Sequence, residues 1–468
     1  MQAYVDGHLT ADDRIISRRA APVEGDTMND VRATGLDLSR RGFLAAIGAA
    51  AAVPVLASCG GDSSSGGSGS SKAIKFWDMP WGGTDYNPAA QKLVGTYVPT
   101  GSNGKATYQT IQWANFTQTF SSAIASNTGP AVSSGGGFQA FQYAQQGAIA
   151  YADDLIATMK KDGTYDDFIA GQVEAMKTSK GYAAVPWQLD IRVWWYNKKI
   201  FDQLGLTPPT SWDEMMTVGK ALAAKGHYGF AAGAGAGNNL GAHFMVMMMI
   251  NNGGGLFDPS GKVAVDTPTN LQAMQFVNEL VKAKIVDPRS VSYTGDNQNA
   301  QWKSGKFAMG IDTAGLDGNV GDTAGDLVVM KPLSAPASGP ACLVFQNNLM
   351  MYKNTPSQAS SEAFLLWYVK HMQAYWLKNP PLLSGLPVLK SIVALPAFQE
   401  QKNKVAAIKD WVPVAKTYAS QGTELTPALA QVDGGQPLQA FTQTMLGGGD
   451  PKGALQTLQK QLDAIIKQ

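Results

Sequence analysis

Residues 185–214 read VPWQLDIRVWWYNKKIFDQLGLTPPTSWDE. The first half of this stretch is rich in β-branched and aromatic residues and contains three tryptophans, a composition that indicates a β-strand. Pro208-Pro209 stiffens the link that follows, because each proline fixes its φ angle. Thr210-Ser211 then starts a helix at Trp212, with two acidic residues in the first turn, where the helix dipole favours them. The stretch therefore predicts a strand that gives way to a helix.

Strands and helices alternate in the same way on both sides of this stretch. Further strands are predicted over 73–77 and 107–112 from their composition and bounding turns. Further helices are predicted over 89–97, 115–126, 268–283, 361–377 and 451–467 from their apolar spacing. Alternating strands and helices predict an α/β fold with a mostly parallel sheet.

Several short motifs stand in an order that resembles a known family. They are Val185-Pro186-Trp187, Tyr196-Asn197-Lys198, Leu204-Gly205-Leu206, the run from Pro208 to Glu214, the run from Gly253 to Asp258, the run from Trp302 to Met309, and Leu386-Pro387. Each motif alone is loose, but their order resembles that of the extracellular solute-binding proteins of ABC importers, in the sugar-type family 1 that includes the maltose-binding protein. The likeness covers residues 73–468.

The resemblance implies a two-lobed periplasmic-binding-protein type II fold, with a hinge and a ligand cleft between the lobes. Lobe 1 is expected to take residues 73–187 and 346–372, and lobe 2 residues 188–345 and 373–468. Closure of the lobes on the ligand is the expected working motion. The implied function is that of a monomeric receptor without a cofactor, which captures a sugar or oligosaccharide and delivers it to a membrane permease.

The N-terminal region carries an export signal. Arg40-Arg41 precedes an apolar run over 42–58 that is marginal for a bilayer-spanning helix but suits the apolar region of a signal peptide. Paired arginines indicate twin-arginine export. Residues 1–58 are therefore expected to be removed, with an uncleaved membrane helix as the alternative. Translation starting at Met28 rather than Met1 would give a more usual spacing before the arginines.

A lipid anchor is expected directly after the signal peptide. Leu56-Ala57-Ser58-Cys59 resembles the lipobox of bacterial lipoproteins, in which the cysteine is acylated and becomes the mature N-terminus. Residues 59–72 are rich in glycine and serine and would form a flexible tether. The mature protein is then expected outside the cytoplasm, held at the bacterial membrane by lipid. Cys342 would have no partner for a disulfide.

Composition excludes several other functions. The formal net charge is +1 and charged residues make up 16% of the chain, so that nothing indicates nucleic-acid binding. The chain has no G-x-S-x-G, H-E-x-x-H or phosphate-loop motif. His227, His243 and His371 are too far apart in sequence to suggest a metal site. Two alternatives stay open: a receptor of the same fold for a polyamine or a peptide, and a secreted enzyme acting on glycosides.

Sugars are bound by aromatic rings, which pack against the C–H faces of the pyranose, and by carboxylates or amides that bond to hydroxyls. Loops at the carboxyl ends of parallel strands are where such groups are expected. The loop after the first strand offers Trp81, Trp113 follows the second strand, and the loop after the third offers Phe138 and Gln139.

The resemblance supplies the other candidates. The family places an acidic sugar-binding residue at the position of Asp190, and Trp187 lies near the same crossover. Arg192 is a possible ion-pair partner of Asp190, which would make that carboxylate structural. The remaining candidates are His243, Asp312, Thr313, Gln346, Asn347 and Asp433. Relatives often carry a tryptophan after the position of Thr313, where this chain has Ala314-Gly315-Leu316, so that the size and class of the sugar are open.

Overall fold

The structure is a computed structural model that describes residues 73–113, 116–377, 382–421 and 428–466. The expected signal peptide 1–58 and the tether 59–72, with Cys59, lie outside the described residues. The strands within these ranges are β1 Ile74–Asp78, β2 Ala106–Thr110, β3 Val132–Gly135, β4 Lys177–Thr178, β5 Gly181–Tyr182, β6 Val185–Asn197, β7 Met309–Thr313, β8 Leu327–Val329, β9 Cys342–Met351, β10 Leu386–Pro387 and β11 Ala415–Lys416.

The helices of the described ranges connect these strands and cover the sheet. They are α1 Tyr86–Gly95, α2 Phe116–Ala125, α3 Gln139–Gln145, α4 Asp153–Asp162, α5 Thr164–Asp167, α6 Lys198–Leu204, α7 Trp212–Ala223, α8 Leu240–Asn251, α9 Pro268–Lys282, α10 Gly295–Lys303, α11 Leu316–Val320, α12 Gln358–His371, α13 Lys390–Ala394, α14 Pro396–Gln399, α15 Lys402–Ala406, α16 Leu429–Val432, α17 Gln436–Leu446 and α18 Pro451–Ile466. The predicted strand-to-helix order over residues 185–214 is confirmed, with Asn197 capping α6 and Ser211 capping α7 through their side-chain oxygens.

Nine of the described strands form one sheet, in the order β10-β6-β9-β3-β1-β2, with β7 and β8 paired to β6 and β11 paired to β9. The prediction of a mostly parallel sheet is wrong. Parallel pairing joins β1 to β2 and to β3, and β11 to β9, whereas β6 and β9 are antiparallel to their other neighbours. Alternating strands and helices predict parallel pairing only where a single helix connects two neighbouring strands. Here β3, β6 and β9 are separated by long stretches of chain, so that the prediction does not apply to them.

The long strand β6 belongs to two regions of the sheet. Its first part, Val185 to Ile191, pairs with β9, and its second part, Arg192 to Asn197, pairs with β7 and β8. Strand β9 likewise pairs with β11 at its start and with β3 and β6 beyond that. These two strands therefore cross together from one half of the molecule to the other. The lobe boundaries predicted from the sequence remain a prediction.

The core is continuous and contains the methionine cluster of α8, in which Met245, Met247, Met248 and Met249 are all buried. Cys342 at the start of β9 is also fully buried, and its thiol donates a weak hydrogen bond to the carbonyl of Trp411 at 3.6 Å. Burial raises the pKa of this thiol well above its usual range.

We predict that Gly310→Ala destabilises the fold. A Cβ atom at residue 310, in the middle of β7, would lie 2.2 Å from the Cβ and 2.5 Å from the backbone nitrogen of Ala231. Overpacking of this kind costs about 1–3 kcal/mol, which urea denaturation of the purified chain would measure. Gly295→Ala is the matched control, because a Cβ there meets no atom within 4 Å. Equal stability of the two variants would contradict the close packing of β7 on Ala231.

Candidate functional site

A cavity of about 380 Å³ lies beside the crossing strands β6 and β9. The loops after β1, β2 and β3 contribute to one side of it, and α8, the end of β7 and the loop after α16 to the other. Its lining is Pro80, Trp81, Gly82, Trp113, Phe116, Gly136, Gly137, Phe138, Gln139, Gln188, Asp190, Arg192, Asn239, His243, Thr313, Asn319, Phe345, Asn347, Ser384, Gly385 and Asp433.

Nine of the twelve side chains predicted from the sequence line this cavity. They are Trp81, Trp113, Phe138, Gln139, Asp190, His243, Thr313, Asn347 and Asp433. Trp187, Asp312 and Gln346 are not part of the lining. Trp187 is fully buried behind Trp81. Gln346 donates to Gln172 Oε1 at 2.6 Å, and Asp312 accepts from Gln298 Nε2 at 3.0 Å.

Strand geometry explains these three placements, because successive side chains of a strand point to opposite faces. On β6 the cavity face carries Gln188, Asp190 and Arg192, which leaves the odd-numbered residues on the other face. On β9 Asn347 lines the cavity, so that its neighbour Gln346 points away. Thr313 and Asp312 on β7 divide in the same way. Of two adjacent strand residues, only one can reach the cavity.

One wall of the cavity is formed by tryptophans. Trp113 lies edge-on to Trp81, with ring centroids 4.9 Å apart, and it packs on Phe116 at 5.4 Å. Its indole nitrogen donates to the carbonyl of Pro80 at 2.7 Å, although the side chain is 42% exposed. Such rings offer flat apolar faces at the edge of the cavity.

Asp78 at the end of β1 holds Trp81 in place. The indole nitrogen of Trp81 donates to Asp78 Oδ1 at 3.1 Å and to Ser134 Oγ at 2.8 Å. The hydroxyls of Tyr86 and Tyr108 donate to Asp78 Oδ2 at 2.8 and 3.0 Å. Burial raises the pKa of the Asp78 carboxyl to about 6, and these hydrogen bonds limit the increase.

A second aromatic group lies around β9. Phe345 packs against Phe138, His243 and Tyr418, with ring centroids 5.9, 4.7 and 5.6 Å apart. The guanidinium of Arg192 lies over the Phe345 ring, 5.0 Å from its centroid. A cation over a ring face is attracted by the ring quadrupole. The cavity therefore has an aromatic group on each of two sides and charged groups on its floor.

A chain of polar contacts joins the charged groups. Arg192 forms a two-point ion pair with Asp190, in which Nη1 contacts Oδ1 and Nη2 donates to Oδ2 at 3.0 Å. The Nε of Arg192 donates to His243 Nδ1 at 3.2 Å. His243 Nε2 and the hydroxyl of Tyr418 both bond to Asp433 Oδ1 at 2.8 Å.

The chemistry of arginine fixes the direction of this chain. A guanidinium only donates, so that His243 Nδ1 is the acceptor and His243 Nε2 carries the proton that goes to Asp433. Burial would raise the pKa of Asp433, but its interaction with His243, the Tyr418 hydroxyl and the charge of Arg192 hold it below its usual range. Burial likewise opposes the charged form of Arg192, but the carboxylates, Asp190 above all, raise its pKa.

Several lining residues were missed in the sequence. They include Gln188, Arg192 as a lining residue, Phe345, Asn239, Asn319, Ser384 and Gly385. For Gln188 and Arg192 a signal was present, since both are two residues from Asp190 on the same strand. Ser384 and Gly385 lie on a loop whose position depends on Lys404, far away in sequence.

Lys404 supports that loop from beneath. Its buried ammonium donates to the carbonyls of Leu383, Ser384 and Gly385 at 2.8, 3.1 and 2.9 Å. Burial lowers the pKa of Lys404 to about 8, against the charges of Asp317 and Asp190. The three hydrogen bonds fix the loop against β6.

Comparison with known proteins identifies the family. The profile of the bacterial extracellular solute-binding proteins matches residues 81–375, more than half of the chain. The chain belongs to this family. The solute-binding protein also matches the crystal structure of a sugar transporter from Arthrobacter chlorophenolicus A6 with bound laminaribiose. The two are 53% identical, the match covers 84% of this chain and 99% of that one, and the TM-score is 0.79.

More distant relatives include one solved structure, which shows the same fold, and two proteins named as ABC transporter-binding proteins. A maltose-bound protein of T. maritima is 17% identical with a TM-score of 0.70, over 84% of this chain and 99% of that one. A putative ABC transporter periplasmic-binding protein of Escherichia coli K12 is 22% identical over 335 residues, which cover 67% of this chain and 74% of that protein. A probable ABC transporter-binding protein of Deinococcus radiodurans is 28% identical over 134 residues, 27% of this chain and 31% of that protein.

The protein is thus an extracellular solute-binding protein of an ABC transporter, with the two-lobed α/β fold of its family. In the described ranges, none of the helices is both long and apolar enough to pass through a bilayer. Those same ranges contain no group of three or more histidine, cysteine or acidic side chains placed to hold a metal ion.

From the burial of the Asp312 carboxyl we predict that the stability of the fold depends on pH. Burial raises the pKa of Asp312 to about 6, although hydrogen bonds from Thr313 and Gln298 and the charge of Arg192 oppose the shift. The folded state therefore binds this proton more tightly than the unfolded state, and stability falls as pH rises from about 4 to 6. In Asp312→Asn the free energy of unfolding, relative to the wild type, should increase by up to about 3 kcal/mol between pH 4 and pH 7.

Urea denaturation at each pH measures this difference. Asp258→Asn serves as the control: hydrogen bonds from Ser260 and the Lys262 backbone lower the pKa of Asp258, so that it titrates below this range and its difference from the wild type should hardly change between pH 4 and pH 7. A difference between Asp312→Asn and the wild type that does not change with pH would show that Asp312 titrates alike in both states.

Proposed function

We propose that the solute is a neutral sugar, a short glucoside of the laminaribiose class. The observation that carries this proposal is the pairing of the cavity's carboxylates. Asp190 is paired with Arg192, and Asp433 accepts from His243 and Tyr418. Both carboxylates keep lone pairs for hydroxyl groups, since an ionised carboxylate can accept about four hydrogen bonds. Aromatic rings on two sides of this floor, whose two carboxylates and one guanidinium leave a formal charge of −1, suit the C–H faces of pyranose rings.

The same pairing argues against a polyamine. A polyamine carries several positive charges, whereas the floor offers one carboxylate without a cationic partner, Asp433, because Asp190 is paired with Arg192. The buried guanidinium of Arg192 lies within the cavity lining and would repel an ammonium group at short range. A neutral polyol meets no such repulsion.

The relative that binds laminaribiose supports the choice of sugar. It is 53% identical over nearly its whole length. Laminaribiose is a disaccharide of two β-linked glucose units, and a cavity of about 380 Å³ lies within the size range of small-molecule sites.

We also propose that the protein has no glycosidase activity. Glycoside hydrolysis requires a carboxylic acid with a raised pKa beside a carboxylate. Asp78 and Asp312 have raised pKa values, but neither lines the cavity. Of the two carboxylates in the lining, Asp433 has a lowered pKa and Asp190 is tied to Arg192.

In the cell, the proposal places the protein outside the membrane as a lipid-anchored monomer. Arg40-Arg41 supports twin-arginine export and Cys59 supports lipidation. The proposal gives the Gly/Ser segment 59–72 the role of connecting the lipid to the two lobes, 73–187 with 346–372 and 188–345 with 373–468. Closure of the lobes on the sugar would present the loaded form to the permease.

The function is tested by calorimetric titration of residues 60–468 with laminaribiose, cellobiose, maltose, spermidine and short peptides. We expect laminaribiose to bind with the highest affinity and without turnover, and spermidine not to bind. Asp190→Asn should weaken laminaribiose binding at least tenfold, about 1.4 kcal/mol, because one acceptor oxygen becomes a donor.

Asp287→Asn is the matched control for that variant. Asp287, like Asp190, is a carboxylate paired with an arginine two residues later, but it is fully buried and lies outside the cavity. Its loss should lower stability and leave the affinity unchanged. Binding of spermidine or peptides in place of sugars would contradict the proposed solute, and release of glucose from laminaribiose would contradict the absence of catalysis.

Lipid anchoring is tested separately with Cys59→Ala in the full-length chain. We expect the variant to lose incorporation of labelled fatty acid, and any exported protein to leave the membrane fraction. Cys342→Ala is the control, because the buried Cys342 thiol is out of reach of an acyltransferase. Fatty-acid labelling of Cys59→Ala at the wild-type level would remove Cys59 as the lipidation site.

A further inference from the structure

Two amide side chains on the cavity floor are buried without complete hydrogen bonding. Gln188 is 1% exposed and Asn347 is 2% exposed. Among the described residues, no donor reaches Gln188 Oε1 and no acceptor reaches Asn347 Nδ2. Most buried polar atoms in folded proteins have a partner, and each one without a partner costs about 1–3 kcal/mol. Both side chains line the cavity.

The two amides face each other across the crossing strands. Gln188 on β6 is directly opposite Asn347 on β9 in the antiparallel register. Side chains at such positions have Cβ atoms about 4.5–5.5 Å apart. One amide offers an oxygen and the other an N–H group. Exchanging the O and N positions of both amides would still leave one acceptor and one donor.

The loop opposite packs closely against the Gln188 amide without bonding to its oxygen. A Cβ atom at residue 385 would lie 2.4 Å from Gln188 Oε1, so that only glycine leaves this oxygen its space. The carbonyl of Gly385 accepts from Lys404 Nζ at 2.9 Å and from Trp376 Nε1 at 3.1 Å. These bonds hold the loop, which cannot move in to satisfy the amide itself.

From this geometry we propose that Gln188 and Asn347 together bind one hydroxyl group of the solute. Gln188 Oε1 accepts the hydroxyl proton, and Asn347 Nδ2 donates to the hydroxyl oxygen. A hydroxyl both donates and accepts, as this pair requires. The inference rests on the proposed function, a sugar receptor, and adds a position that determines specificity. A sugar lacking this hydroxyl leaves both amides unpaired and is rejected strongly.

The test is titration of Gln188→Met and Asn347→Leu with laminaribiose, each substitution being close in size to the original side chain. We expect each variant to bind at least tenfold more weakly than the wild type. The double variant should lose less affinity than the product of the two single losses, because both amides bind the same hydroxyl. The melting temperature of each free variant should be unchanged or higher, since an unpaired polar atom has been removed.

Asn278→Leu is the matched control. Asn278 also has a buried side-chain oxygen without a partner among the described residues, and it lies outside the cavity lining. Its laminaribiose affinity should equal that of the wild type. A second comparison uses laminaribioses that each lack one hydroxyl group. One of them should bind the wild type at least tenfold more weakly than laminaribiose does. The double variant should bind that same sugar and laminaribiose equally well.

Wild-type affinity in both single variants would overturn the amide pair while leaving the sugar receptor intact. Failure of the wild type to bind any sugar would instead contradict the proposed function. The same variants are then titrated with the solute that does bind, and unchanged affinity for that solute would overturn the pair as well.

Discussion

The antiparallel pairing of β6 with β9 is the constraint on which the rest of the structure depends. Both strands are buried on both faces, and their side chains alternate between the cavity and the core. The register shifts between Pro186 and Gln188, so that Trp187 is an extra residue on β6. This bulge determines toward which face of the sheet each of the following side chains of β6 points. A slip by one residue would turn Leu189 and Ile191 toward the cavity and bury Asp190 in the core.

The same alternation places the positively charged side chain of Arg192 in the interior of the protein. Arg192 is 4% exposed, and a buried guanidinium is tolerated only when it is paired and hydrogen-bonded. Its partners Asp190 and His243, and Asp433 beyond them, come from β6, α8 and the loop after α16. One buried charge thus ties together three segments that are distant in sequence. The result is a floor rich in hydrogen-bonding groups with a formal charge of only −1, from two carboxylates and one guanidinium, which suits a sugar better than a polyvalent cation.

The sequence predicted the fold class and nine of the 21 residues that line the cavity, for different physical reasons. The family was predicted from short motifs in a fixed order. Trp81, Trp113 and Phe138 were predicted from their positions in loops that follow strands. The sequence did not predict which strands pair with β6, nor which face of a strand each residue occupies. The antiparallel neighbours of β6 are far away in the chain, and no local pattern predicts them. Trp187 and Gln346 were predicted from their places on the two crossovers, whereas the side chains of a crossing strand alternate between its two faces.

Other parts of the site depend on contacts that a sequence does not display. Gly385 lines the cavity because Lys404 and Trp376 bind its carbonyl, and the loop that carries it has no sequence motif of its own. Tyr418 and Asp433 meet only after folding.

The burial of Cys342 has a consequence for chemical labelling. Residues 60–468, which begin after Cys59, contain a single cysteine, Cys342, whose thiol is fully buried and resists ionisation. Maleimides and other thiol reagents act on the exposed thiolate, and this cysteine presents none. A new cysteine at the cavity rim, for instance in place of Asn319, would therefore carry a fluorophore without competition from the native thiol. Such a labelled variant would report the binding of the solute as a change in fluorescence.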